Sequence, residues 1–271
     1  MRAATCDTAT AAPSPTLQRR LVVTWQHPIE RSISPVAMLQ YDGEHYTFNY
    51  IAGALKVEGF RPFLGFPDLY QRYTSERLFP LFAQRAMTPR RPDFTRWVHR
   101  LGLTDDATPW EQIARSGGRR HGDTIQLFPV PEIAHGRMDC NFLVHGIRHI
   151  PEEPLTVAGH AVHLTYPSLE EHLAGLRAGD RLALHDEPDN TYNPRAILTT
   201  TTDDAPLGWV PDLLLDAIHD IPDRNTIDVT VAAVNGPDAG WHLRLLAHLQ
   251  AQVPQDFQVF TTPRWDSLAP H

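Results

Sequence analysis

The chain has 271 residues, 42% of them hydrophobic, and a formal net charge of −8. That length suits two modest domains better than one, and no apolar run approaches the roughly 18 residues of a membrane span, so no membrane partner is expected. The two cysteines, Cys6 and Cys140, stand far apart without CxxC spacing; this speaks against a zinc knuckle and fits a reducing, cytoplasmic setting.

Residues 1–17 are rich in Ala, Thr, Ser and Pro and read as a disordered tail with no secretion-signal core. Residues 18–128 read as an α+β lobe, strands first and helices after. Leu21-Val22-Val23 begins a strand, and Tyr46, Phe48 and Tyr50 alternate with Thr47 and Asn49 at the period of a second. Phe94, Trp97, Val98 and Leu101 recur at helical spacing ahead of Gly102, a stop signal. Thr108-Pro109-Trp110-Glu111 is a capping box for another helix, which Gly117-Gly118 ends.

Pro129-Val130-Pro131 opens a linker over residues 129–140. Residues 141–250 then read as a small, mainly-β, partly open barrel with one or two helices. Strands are expected at 142–149, 181–185, 195–200, 227–234 and 241–246. Ser168 to Glu171 is a second capping box, and a helix over 211–218 turns Leu214, Leu215 and Ile218 inward. Residues 251–271 read as a loosely attached tail, with Phe257, Phe260 and Trp265 able to dock part of it.

Charge divides along the same boundary. Residues 18–128 hold 15 Arg/Lys against 11 Asp/Glu, about +4, and residues 141–250 hold 6 against 16, about −10. A nucleic-acid-binding surface is normally basic, so the second half as a whole argues against such a partner.

Two segments carry a family resemblance. Glu187-Pro188-Asp189-Asn190-Thr191-Tyr192-Asn193-Pro194-Arg195-Ala196-Ile197 is a turn of Pro, Asp and Asn between apolar runs, followed by Gly208-Trp209-Val210-Pro211. With Phe142 to His149 upstream, these motifs resemble the HIRAN domain. The resemblance implies a non-enzymatic module that holds the 3′ end of single-stranded DNA or another nucleic-acid end. It also implies the site: Arg148 and His149 on the opening strand, Asn190, Tyr192 and Asn193 in the turn, and Trp209 as a stacking surface. Asn193 stands where the family usually has Asp, and Ile150 stands where an aromatic stacks. Tyr192 is expected to pack beneath the turn. A turn that only stabilises the barrel, and a Trp209 that belongs to the core, fit the same residues.

Gly117-Gly118-Arg119-Arg120 offers backbone N–H groups and two cations, so Arg119 and Arg120 are candidates for phosphate or partner contact; a plain helix cap and turn is the alternative. It lacks the Lys-Ser/Thr of a nucleotide-hydrolysing loop. Tyr46 to Tyr50, Phe63 to Pro67 and Leu78 to Phe82 resemble the N-terminal subdomain of HipA-type proteins, which implies that the first lobe docks a partner protein. No nucleophile with a matched base, metal-ligand set or cofactor loop stands out. Catalytic residues, metal and cofactor are therefore expected to be absent. An interaction or antitoxin-like subunit that never touches nucleic acid is the other reading. Convergence of Arg119, Arg120, Arg148 and Arg195 on one surface would favour nucleic acid.

Overall fold

The computed structural model describes residues 19–120 and 122–270; the expected tail over 1–17, including Cys6, lies outside the described residues. Strands β1 (Arg19–Gln26), β2 (Ile33–Tyr41), β3 (Tyr46–Tyr50) and β4 (Tyr73–Ser75) come first. Helices α1 (Pro80–Ala83), α2 (Phe94–Arg100) and α3 (Pro109–Ser116) follow, and β5 (Ile125–Pro129) returns beside β1. The five strands form one antiparallel sheet in the order β4-β3-β2-β1-β5. Local chemistry sets the helix ends. The Thr108 hydroxyl accepts a bond from the Glu111 N–H while Glu111 accepts from the Thr108 N–H, and Gly117 closes α3 at φ 69°.

Strand β1 reads as a continuous apolar run because both of its faces are buried. Leu21, Val23, Leu39, Phe48 and Tyr50 pack with Trp110 and Ile113 of α3. Val22, Met38 and Ile51 project the other way, into a core shared with the C-terminal half. Polar ties reinforce that junction: Arg115 Nη1 donates to Asn141 Oδ1 at 3.1 Å, Asn235 Nδ2 donates to Arg100 O at 2.8 Å, and Arg100 pairs with Asp238.

The C-terminal half contributes β6 (Glu132–Ala134), β7 (Arg137–Leu143), β8 (Leu155–Val157), β9 (His160–Val162), α4 (Tyr166–Gly175), β10 (Arg181–Asp186) and β11 (Ile197–Thr201). After these come β12 (Pro206–Trp209), α5 (Asp212–His219), β13 (Asp228–Val234) and β14 (Leu245–Gln252). Seven strands form an antiparallel sheet in the order β12-β11-β10-β13-β14-β7-β6, and β8 and β9 make a separate hairpin. The ladders do not close into a barrel. Past the end of β7, His145 and Trp209 exchange backbone bonds of 2.8 Å each, so a single bridge joins that chain to β12.

Several expectations are corrected. The stretch expected as a linker, residues 129–140, holds the end of β5 and the β6–β7 hairpin. Pro129 is tolerated because β5 is an edge strand. His135 (φ 52°) and Gly136 (φ 72°) form a two-residue hairpin turn with both central residues left-handed. Helix α4 begins at Tyr166, not Ser168: the Thr165 hydroxyl accepts from Ser168 N–H, with Pro167 in the first turn. Residues 241–243 are a tight 3₁₀ turn after Gly240, so the last strand runs later, from Leu245. Part of the expected loose tail is docked: Val253, Val259, Trp265 and Ala269 are buried, and Ile51 bridges Ser267 at the edge of the first sheet.

Candidate nucleic-acid interface

The turn between β10 and β11 is built on Asn190. Its Oδ1 accepts the Tyr192 and Asn193 N–H groups at 3.0 Å each, and its Nδ2 donates to Glu187 Oε2 at 2.6 Å. The same Glu187 oxygen accepts Trp209 Nε1–H at 2.7 Å, which ties β12 to the turn. Asn193 Oδ1 accepts the Arg195 N–H at 3.0 Å, and Asn193 Nδ2 donates to Asp212 Oδ1 at 3.1 Å. Tyr192 does not pack beneath the turn. It is 97% exposed, and the turn is held by the Asn190 side chain, which accepts the Tyr192 N–H.

Trp209 is partly buried, with its indole N–H satisfied by Glu187. Gly146 lies against its ring. A Cβ there would come within 2.5 Å of Trp209 Cε3, and the backbone at Gly146 is left-handed (φ 68°). That close approach ends β7 early. Arg148 and His149 therefore sit on a 3₁₀ turn, Ile147–His149, and not on a strand. Ile147 and Ile150 point into the core while Arg148 and His149 face solvent. His149 Nε2 accepts from Arg148 Nε at 2.9 Å, so Nδ1 carries the proton and donates to Glu152 at 2.9 Å.

Across the junction, Arg119 and Arg115 line a cleft with Gln126, Asn141, His145 and His242. Its open space is only ≈ 30 Å³, so it is a narrow cleft. Arg119 has a pKa held below the usual arginine value, first by desolvation and then by the like charges of Arg31 and Arg148. Desolvation, with help from Arg119 and His242, brings the His145 pKa down to about 4. His242 is lowered by the same two causes, burial first and Arg119 second.

Arg119 and Arg148 thus share one electrostatic neighbourhood, joined by Arg31. Arg120 lies toward Arg85, whose guanidinium pairs with Asp123 and donates to Gly118 O at 2.9 Å, bracing the loop. Arg195 is not with them: it pairs with Asp216 of α5 at 3.4 Å. Of the six arginines in residues 141–250, four are in ion pairs with carboxylates and Arg177 bonds backbone carbonyls. Among the described residues Arg148 has neither kind of partner; its Nε donates to His149 Nε2. Sequence reasoning missed Tyr166, Trp241 and His242 beside this site; the turn residues Gly236, Pro237 and Gly240 were the signal that Trp241 sits in a loop.

Two solved structures are similar over part of the chain. A crystal structure of a protein from Lactobacillus plantarum is 19% identical, with a TM-score of 0.29, covering 42% of this chain and 99% of that one. The crystal structure of the HIRAN domain of human HLTF is 15% identical, with a TM-score of 0.28, covering 46% of this chain and 85% of that one. No protein-family model and no curated protein matches. Likeness at this level says nothing about a ligand. Among the described residues no helix is long and apolar enough to cross a membrane.

Proposed function

We propose that this is a non-enzymatic recognition protein that binds a single-stranded nucleic-acid end at the junction of its two halves. The observation that carries the reading is Arg148, which alone of the arginines in residues 141–250 has no carboxylate or carbonyl partner among the described residues, and whose charge is felt at Arg119 from the other half. Holding like charges together without a counter-ion is unfavourable unless an anion completes the set. The phosphates lie across the mouth of the cleft, contacting Arg119 and Arg148. The terminal nucleotide reaches the Asn190–Asn193 turn, with Trp209 alongside. Asn193 has a free lone pair for a terminal hydroxyl, and Asp212 beside it repels a terminal phosphate. The turn therefore selects a free 3′-hydroxyl.

The test is a fluorescence-anisotropy titration of the purified protein with labelled single strands ending in a 3′-hydroxyl or a 3′-phosphate. The expected result is salt-sensitive binding, tighter for the hydroxyl end and weakened in Arg119→Ala and Arg148→Ala. Absence of binding to either strand at low salt would leave the protein-interaction reading in its place.

A further inference from the structure

We infer that Tyr166 and Trp241 form a stacking platform for unpaired bases, beside the arginines that meet the phosphates. This deepens the reading above and rests on it. Large aromatics are normally withdrawn from water, yet Tyr166 is 49% exposed and Trp241 37% exposed. Their ring centroids are 6.5 Å apart and their planes are tilted by 55°, so they present two adjacent aromatic faces at an angle to each other.

That surface borders the cations on two sides. Tyr166 Oη donates to the backbone oxygen of Arg148 at 3.2 Å, which fixes the first ring at the edge of the arginine turn. Trp241 is followed by His242, which lines the cleft together with Arg119. A strand whose phosphates contact Arg119 and Arg148 brings its bases within reach of both rings. Ile150, the next apolar side chain after His149, is 1% exposed and offers no such surface.

The platform is also held rigid. The Arg244 guanidinium lies 5.2 Å from the Trp241 ring centroid and is itself only 3% exposed. It donates to both Glu170 oxygens, at 2.6 and 2.7 Å, and through Nε to Asn235 O at 2.8 Å. Glu170 belongs to α4, the helix that starts at Tyr166. One bidentate ion pair therefore braces the two elements that carry the rings, and its charge is already neutralised. What remains for a ligand is π-surface with little ordering cost. Every base offers a π-face, so the ligand class is single-stranded nucleic acid with little sequence preference.

The test compares two labelled strands of equal length and charge, an oligothymidylate and an abasic strand with the same phosphate backbone. Wild-type protein is expected to prefer the base-bearing strand by at least about fivefold, and by about 150-fold if one base stacks at full strength. Trp241→Ala and Tyr166→Ala should each weaken binding of the oligothymidylate more than binding of the abasic strand, so that most of the preference is lost. Tyr166→Phe, which keeps the ring, should retain it. Equal wild-type affinity for the two strands, or a preference that survives both alanine variants, overturns the platform while the phosphate-binding reading stands. Binding of neither strand removes both. The wild-type comparison needs no variant to fold.

Discussion

Between residues 141 and 250, every arginine but Arg148 has a carboxylate or carbonyl partner among the described residues: Arg244 is buried against Glu170, Arg224 grips Asp186 with bonds of 2.6 and 2.9 Å, and Arg195 rests on Asp216. Across the junction, Arg31, Arg119 and Arg120 make no ion pair with any described carboxylate. Arg85, Arg91 and Arg100 of that half do pair, with Asp123, Asp93 and Asp238, and Arg85 holds the loop that presents Arg119. Net charge per domain conceals this difference. A half with about −10 can still present an unneutralised guanidinium where no described carboxylate pairs with it. What an incoming phosphate meets is the local set, since exposed charges farther away are screened over about 8 Å at physiological salt.

The contrast can be broken by deleting one cation of each kind. Arg244→Ala should cost about 3 kcal/mol in urea unfolding, because it strands Glu170 and the Asn235 carbonyl; Glu170 is partly exposed, which keeps the loss at the lower end for a broken buried pair. A loss below about 1 kcal/mol would show that the pair is ornamental. Lowering pH probes the cleft. His145 has a folded pKa of about 4 against 6.5 when free, so the unfolded chain takes up the proton first. Its stabilisation is complete above pH 6.5 and is lost as pH falls toward 4, at most about 3 kcal/mol in all. Between pH 6.5 and 5, above the carboxylate range, His145→Gln should flatten the midpoint curve; an unchanged slope contradicts the buried-imidazole account.

Arg119→Ala and Arg148→Ala should behave oppositely to Arg244→Ala. Thermal stability should hold or rise as like-charge repulsion is relieved, while affinity for single strands falls by about 1.5–3 kcal/mol, with the loss shrinking in added salt. Equal losses of stability in all three variants would erase the distinction between the halves. The smallest effect is at the turn. Asn193→Ala should cost about 0.5–1.5 kcal/mol in binding with little response to salt, and Asn193→Asp should sharpen discrimination against a 3′-phosphate. Equal discrimination by wild type and Asn193→Asp argues against a hydroxyl contact there.

Locally written features were legible in the sequence. The Thr108–Glu111 box, the Gly102 and Gly117 stops, the alternation of Tyr46 to Tyr50 and the Asx turn at Asn190 depend on neighbours within a few residues. Features imposed by distant contacts were not. Phe142 to His149 spells a strand, but Gly146 must pass under Trp209, and that contact exists only once β12 is in place. Prolines at 129 and 131 spell a linker, although an edge strand and a left-handed two-residue turn accommodate the stretch. That Arg119 feels the charge of Arg148, and that Tyr166 lies beside Trp241, follows from lobe packing and loop placement, for which one-dimensional spacing has no signal.

The docked C-terminal segment also bears on how the molecule is made. Leu268 N–H bonds Tyr50 O at 3.0 Å, Ala52 N–H bonds Asp266 O at 2.8 Å, and Ser267 bridges Ile51. The edge of the first sheet is thus finished by residues that leave the ribosome long after the strand they complete. Until then, Ile51 and the backbone at Tyr50 and Ala52 lack those partners. The nascent first lobe carries an open edge throughout synthesis of the second, so folding waits for its most distant pairing.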